Sequence, residues 1–416
     1  MSRSRRGSDA RDRAASGSTE ARRVLKAWGA VLIVVLALGA LFGVGSLARY
    51  LQAPPISESF GAEDAVVALR LEARGTSYLV LVNEAGTARS VQLAERGFIG
   101  TQIAWSDAGI STGDPTHEYL IGENGLVKLA VPGPTEGVHD RARLASGPGF
   151  AVFTGSADGQ RALFVDAAGP GASLTGTDIG REIPELASCG DGIVMATANG
   201  IAPVTPRTSD FAGLGLFDDV VALACDADRV YGLGAIPDGP EPRERLRVWD
   251  RSGGAPLEFS VRYPGELIEK SPHSPFVHDG RLYWTAEWNL WSVALPDGTG
   301  HSSGTGEIPV LDAVVSGDLA GFLESDGASE YEIAAGTPEG MLAAVEGRVF
   351  GVATDEEFDG GGRGPSFTRL DGLEIFSVDA ATGERRIEIE VDGIDFPRRD
   401  LHVTAIAVDP EWAAGR

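Results

Sequence analysis

Two regimes of hydrophobic patterning divide the chain. Residues 27–48 (AWGAVLIVVLALGALFGVGSLA) carry no charged side chain, and Lys26 and Arg49 bracket them. As a helix, these 22 residues span about 33 Å at 1.5 Å each, close to the roughly 30 Å hydrocarbon core of a bilayer. The segment is therefore predicted to cross a membrane. From residue 64 onward helical periodicity nearly vanishes. Short β-rich runs recur instead, broken by Gly, Asp and Pro. The clearest are 78–82 (YLVLV), 118–121 (EYLI), 149–153 (GFAVF), 192–195 (GIVM), 229–232 (RVYG), 281–284 (RLYW) and 348–352 (RVFGV). Several lead to a second run and a turn, as 246–250 (LRVWD), 290–294 (LWSVA) and 373–378 (LEIFSV) do.

The repeated unit is a Gly-Arg-(Leu/Val)-aromatic strand, a loop, a Leu-x-(Val/Ile)-aromatic strand, an Asp or Pro, and a turn ending in Gly. With residues 78, 119, 151, 193, 230, 282 and 348 as first-strand markers, the spacing stays near 40 except at the last two steps. Those steps need insertions, and 237–244 and 355–365 read as long polar loops. A four-stranded blade takes about 40–45 residues, so residues 64–416 are predicted to form an all-β propeller of seven, or eight, blades. A lone small sheet cannot cover both its faces. Radial packing covers them and leaves only short edges. The run 401–408 lies beyond the last complete unit and is expected to pair with 66–71, closing the ring. The alternative is two β-sandwiches with a boundary near 205–215, where no linker composition is found.

The strands 228–231 (DRVY) and 280–283 (GRLY), with the strand-to-turn run 378–383 (VDAATG), resemble the quinoprotein-like (PQQ-like) bacterial β-propeller repeat family, which includes outer-membrane-assembly propellers. The resemblance implies the propeller fold.

Charge orients the chain. Residues 1–26 hold eight basic side chains against three acids, a net +5, while the whole chain is −25. Excess positive charge stays cytoplasmic. The expected organisation is therefore a basic disordered tail (1–26), a transmembrane helix (27–48), a linker (49–63) with Pro54 and Pro55, and a body (64–416) outside the cytoplasmic membrane. The rival reading is a signal peptide cleaved after the small residues Ser46 and Ala48. It too exports the body. A net charge of −30 over residues 27–416 argues against nucleic acid as a partner. Arginine outnumbers lysine 32 to 3. That balance, with abundant Ala and Gly, resembles the membrane-anchored propellers of high-GC actinobacteria.

The candidate chemistry is sparse. Cys189 and Cys225 are 36 residues apart, nearly one repeat, and in an oxidising place are expected to form a structural disulfide across neighbouring blades. Two buried thiols are the alternative. The six histidines show no metal-binding spacing. His273 and His278 flank a short run and are expected at a turn, where they could share a site. Trp284, Trp288 and Trp291 form the densest aromatic cluster. They are either core between sheets or, if exposed, a peptide or glycan platform. Asp355, Glu356, Glu357 and Asp359 make an acidic loop, a solvated one or a weak Ca²⁺ site. Gly-x-Ser-x-Gly occurs at 109–113 and 300–304, in stretches read as turns rather than strand-to-helix elbows. Two function classes remain. One is a non-catalytic anchored propeller that binds a cell-envelope protein or wall component through loops on one ring face, with no cofactor. The other is an extracytoplasmic hydrolase, lyase or quinone-dependent dehydrogenase.

Overall fold

The computed structural model describes residues 54–73, 76–93, 103–114, 116–131, 137–144, 149–156, 159–166, 172–180, 185–189, 192–197, 200–205, 220–234, 243–265, 272–286, 289–295, 308–319, 342–359, 367–392 and 402–416. The predicted tail and membrane span lie outside these residues. Among the described residues no helix is long and apolar enough to cross a membrane. The chain separates into the unit Met1–Gln52 and the unit Ala53–Arg416, and all the sheets belong to the second.

There are seven sheets, numbered here as blades, with strands counted outward from the axis. Blade 1 takes His402–Val408 from the far end of the chain as its first strand, followed by Ala65–Ala73, Thr76–Asn83 and Ala88–Gln92. Blade 2 is Ala104–Ser106, Gly109–Gly113, His117–Gly122 and Gly125–Ala130; blade 3 is Gly137–Leu144, Gly149–Ser156, Gly159–Asp166 and Ser173–Gly180. Blade 4 shows Leu186–Cys189, Gly192–Thr197 and Gly200–Val204; blade 5 is Val220–Cys225, Arg229–Gly234, Arg243–Asp250 and Leu257–Arg262. Blade 6 is His273–His278, Arg281–Ala286, Asn289–Ala294 and Val314–Asp318; blade 7 is Leu342–Val345, Arg348–Asp359, Phe367–Asp379 and Arg385–Asp392.

The first strands of consecutive blades touch all the way round, so they enclose an axis. Every seam between neighbouring blades carries its own apolar cluster, including the seam from blade 7 back to blade 1. This is a closed seven-bladed propeller. The expected closure holds: Val67–Val408 and Leu69–Ile406 are partners in an antiparallel ladder.

Burial explains what the sequence made visible. A middle strand is pressed between two neighbouring blades, so both its faces are apolar and it reads as a continuous run: Arg281–Ala286 is buried from Leu282 onward. An outer strand alternates, as Leu257–Arg262 does. The sequence markers are therefore middle strands, not first strands. They fall in the third strand of blades 1 and 2 and in the second strand of blades 3 to 7. There is one per blade, which is why the count of seven survives the shifted frame.

Arg281 and Arg348, both repeat arginines, share one task with Arg70. Arg281 bonds Ser292 at 2.8 Å, Arg348 bonds Ser377 at 2.7 Å, and Arg70 bonds Ser77 at 2.8 Å. In each pair the Ser sits on the next strand, two residues before the Arg's own cross-strand partner. The same diagonal contact thus crosslinks second and third strands in blades 1, 6 and 7.

Two expected loops and the linker need correction. Residues 54–63 are not a free linker. Ile56 N–H donates to the Gln92 carbonyl, and Leu126 N–H donates to the Glu58 carbonyl. Arg89 grips the Gly61 and Glu63 carbonyls, while Ile56 and Phe60 pack on the apolar cluster between blades 1 and 2. The segment is a strap across that seam. A second strap, Val310–Asp312, leaves blade 6 and pairs in parallel with the outermost strand of blade 5. Residues 355–359 are strand rather than loop: Asp355 to Asp359 pair with Gly372 to Phe367, giving blade 7 a two-stranded arm. Its second strand runs six residues past the six-residue second strand of blade 6, roughly 20 Å. Glu244, assigned from sequence to a loop, lies in the third strand of blade 5 and is buried.

Candidate functional site

The first strands leave a channel of about 520 Å³ on the axis. Most residues along its wall are apolar in type, with Glu185, Ser188, His273, Ser274 and Glu346 as polar side chains and Trp105 as an aromatic one, yet polar atoms make up more of the exposed wall than apolar ones. Strand direction assigns these to two mouths. Glu185 and His273 stand where first strands begin. Glu346 occupies the hairpin turn where one ends. Second strands run back antiparallel, so the connections from second to third strand leave from the mouth with Glu185 and His273 (the loop face). Both long insertions, at 235–242 in blade 5 and at the tip of the blade 7 arm, are second-to-third connections. They therefore depart from that one face. The opposite, turn face holds short hairpins such as Asp279–Gly280 and Glu346–Gly347, all four with left-handed φ, and the long connection that follows Ala294 in blade 6 departs from it.

Backbone strain marks the channel. Ser274 (φ 47°) and Glu346 (φ 49°) are two of only four non-glycine residues with positive φ among the described residues. A positive-φ hairpin turn ordinarily selects Asn, Asp or Gly, as Asp279 does one blade earlier. Glu346 takes the cost on the channel wall.

The two histidines do not share a site. They end the same strand, five steps or roughly 16 Å apart. His273 lines the channel. His278 covers Gly347 of blade 7, whose absent Cβ would fall 2.5 Å from the ring. Trp284 and Trp291 are 0% and 4% exposed, so these rings are core rather than a platform. Both meet Tyr263 edge-on, at 6.1 and 5.1 Å between centroids. Trp288 lies outside the described residues. Cys189 and Cys225 form the expected disulfide, joining the ends of the first strands of blades 4 and 5 on the turn face.

Asp355, Glu356, Glu357 and Asp359 lie along one strand of the arm, and their side chains lie outside the described set. Among the described residues no three His, Cys, Asp or Glu side chains gather closely enough to hold a metal ion. Gly109–Gly113 is a strand, not a turn, and Ser111 is 1% exposed, so its hydroxyl does not face solvent. The second Gly-x-Ser-x-Gly, 300–304, lies outside the described residues.

Sequence reasoning missed a buried carboxyl in blade 5. Glu244 is 1% exposed, and its Oε2 accepts from the Tyr263 hydroxyl. That hydroxyl in turn accepts from Trp284 Nε1 at 3.1 Å. Among the described residues Oε1 has no hydrogen-bond partner. Burial outweighs the Tyr263 hydrogen bond and pushes the carboxyl pKa up to about 8. Nothing in the sequence marks it among 60 acids.

Two further acids are structural. Asp114 accepts from the Thr116 and His117 amides and the Tyr119 hydroxyl. Asp226 does the same with the Asp228 and Arg229 amides and the Tyr231 hydroxyl. Burial, then the hydrogen bond to its Asp, pushes each Tyr pKa up, keeping both hydroxyls neutral donors. The shared spacing, Asp followed five residues later by Tyr, was present in the sequence.

No protein-family model matches the chain, and no curated protein matches it. Solved structures similar to it include apo AztD from Citrobacter koseri, at 9% identity, 82% of this chain, 97% of the other and a TM-score of 0.43. A protein from Lactobacillus plantarum gives 12%, 82%, 98% and 0.41. The β-propeller domain of the Trilobed protease from Pyrococcus furiosus gives 11%, 80%, 98% and 0.35. The propeller rests on the chain's own ring topology, and these distant likenesses carry nothing about chemistry.

Proposed function

We propose that this protein is a non-catalytic binding propeller, held outside the cytoplasmic membrane by residues 27–48, and that its loop face takes a cell-envelope protein or wall component. Its blades are read as the quinoprotein-like type of anchored actinobacterial proteins. One observation carries the binding role. The blade 7 arm and the blade 5 insertion depart from the same face as the channel mouth with Glu185 and His273. Long segments that depart beside a channel mouth on a rigid ring suit recognition, because the scaffold sets their geometry. The Cys189–Cys225 disulfide supports an oxidising location. The net −25 of the chain favours a basic or cation-bridged partner.

The test is site-specific photocrosslinking in intact cells, with the reactive group at Phe358 on the arm or at Ala381 on the turn face. A discrete adduct from Phe358 and none from Ala381 is the expected result. Equal labelling from both, or none from the arm across growth conditions, overturns the assignment.

A further inference from the structure

Glu244 sits at the root of the blade 5 insertion, two residues after 235–242, at the loop-face end of the seam between blades 5 and 6. Its side chain shares a face of the sheet with Leu246 and Val248, in the cluster that joins the two blades. Among the described residues the facing groups are few. From blade 5 they are Tyr263 and, toward the turn face, Tyr231 with its partner Asp226. From blade 6 they are Trp284 and Trp291. The nearby charges lie on the other faces and are engaged: Arg247 with Glu258 at 3.2 Å, Arg262 with Asp312 at 2.6 Å, and Arg281 with Ser292. No cation faces the carboxyl among the described residues. One of its oxygens is bonded to Tyr263, and the other is buried without a partner among the described residues.

An ionised carboxylate in such a place has a bare, desolvated oxygen. A neutral one still leaves that oxygen unsatisfied but avoids the larger cost of a buried charge. Tyr263 is the last residue before the connection that re-enters the ring at His273, on the channel wall.

We propose that Glu244, Tyr263 and Trp284 form a proton-controlled latch on the seam between blades 5 and 6, closed while the carboxyl is neutral and loosened when it ionises. Its role in controlling ligand access rests on the reading of the loop face given above; the latch itself does not.

The sign follows from linkage. The folded carboxyl releases its proton near pH 8, well above an ordinary glutamate. The unfolded chain therefore loses its proton first, and stability contributed by neutral Glu244 is full in acid and declines as pH rises toward 8.

The experiment uses the full chain, without ligand, from pH 5.5 to 9.5. Infrared difference spectra should show the C=O stretch of a protonated carboxyl disappearing near pH 8, with a concurrent change in tryptophan emission. In Glu244→Gln both signals should be lost and the melting temperature should vary less with pH. Tyr263→Phe keeps the volume but removes a hydrogen bond that favours the ionised form, so it should move both midpoints to higher pH. That variant carries the test if Glu244→Gln does not fold. An unchanged infrared band in Glu244→Gln, or an unmoved midpoint in Tyr263→Phe, overturns the latch. Because no partner is present, this result is independent of whether the loop face binds one.

Discussion

At Gly232 a hydrogen atom stands where any other residue would place a methyl group against an indole. A Cβ there would lie 2.7 Å from Trp249 Cζ3, and Trp249 is itself 1% exposed. The same arrangement recurs three residues after the repeat Arg in blade 7, where a Cβ on Gly351 would lie 2.4 Å from Phe376. In both blades the large ring comes from the third strand and lies across the second. Gly232→Ala should therefore overpack the blade and cost about 1–3 kcal/mol, read as a lower urea midpoint at unchanged slope. An unaltered midpoint would show that the ring moves aside freely. These glycines were visible in the sequence as part of the recurring RVYG and RVFG runs, although their reason was not. A glycine's need depends on which ring crosses it, and that depends on register. The Arg-to-Ser contacts were hidden for the same reason: Arg281 and Ser292 are 11 residues apart in the chain and meet only diagonally across two strands. Glu244 was hidden more deeply, since a buried acid and a solvated one are the same letter.

Among the elements, strands pressed between blades announce themselves and the others do not. The runs at 78–82 and 281–284 were legible because both faces of a middle strand are buried. The three-residue strand Ala104–Ser106 and the outer Val314–Asp318 were not, since Val314 and Val315 are 46% and 51% exposed. The straps were also missed. A run like 54–63, with two prolines and no periodicity, has the composition of a linker even when its backbone bonds to two blades. The disulfide was the element-level contact that spacing did reveal, because one repeat separates equivalent positions on neighbouring blades. It closes a 36-residue separation, worth about 4 kcal/mol in the chain-entropy model. Reductant should therefore lower the melting temperature of the native protein and leave that of a Cys189→Ser, Cys225→Ser double variant unchanged. Equal melting with and without reductant would mean that the seam between blades 4 and 5 holds without the bond.

For the whole molecule, the decisive contact is made by the end of the chain. His402–Val408 completes blade 1 from the inside, so the first and last segments of the propeller form one sheet. The short helix α1 (Pro410–Ala414) follows, capped by Asp409, with Trp412 against Phe350 of blade 7 at 5.8 Å. Arg416 then pairs with Glu84 of blade 1 and stacks over Trp412. Three successive contacts thus tie blade 7 to blade 1 across the seam where the two ends of the propeller chain meet. Removing residues 402–416 would leave Val67, Leu69 and Leu71, all fully buried in the native ring, without the strand beside them. It would also leave the backbone groups of Ala65–Ala73 without a partner on that edge, a cost hydrophobic burial elsewhere cannot offset. The truncated chain should lose its cooperative thermal transition and gain protease sensitivity. A peptide of residues 401–416 added in trans should restore part of the protection, because the vacated groove keeps its register. If the truncated protein melts as sharply as the native one, the ring is held by the seams between blades alone and the terminal strand is dispensable.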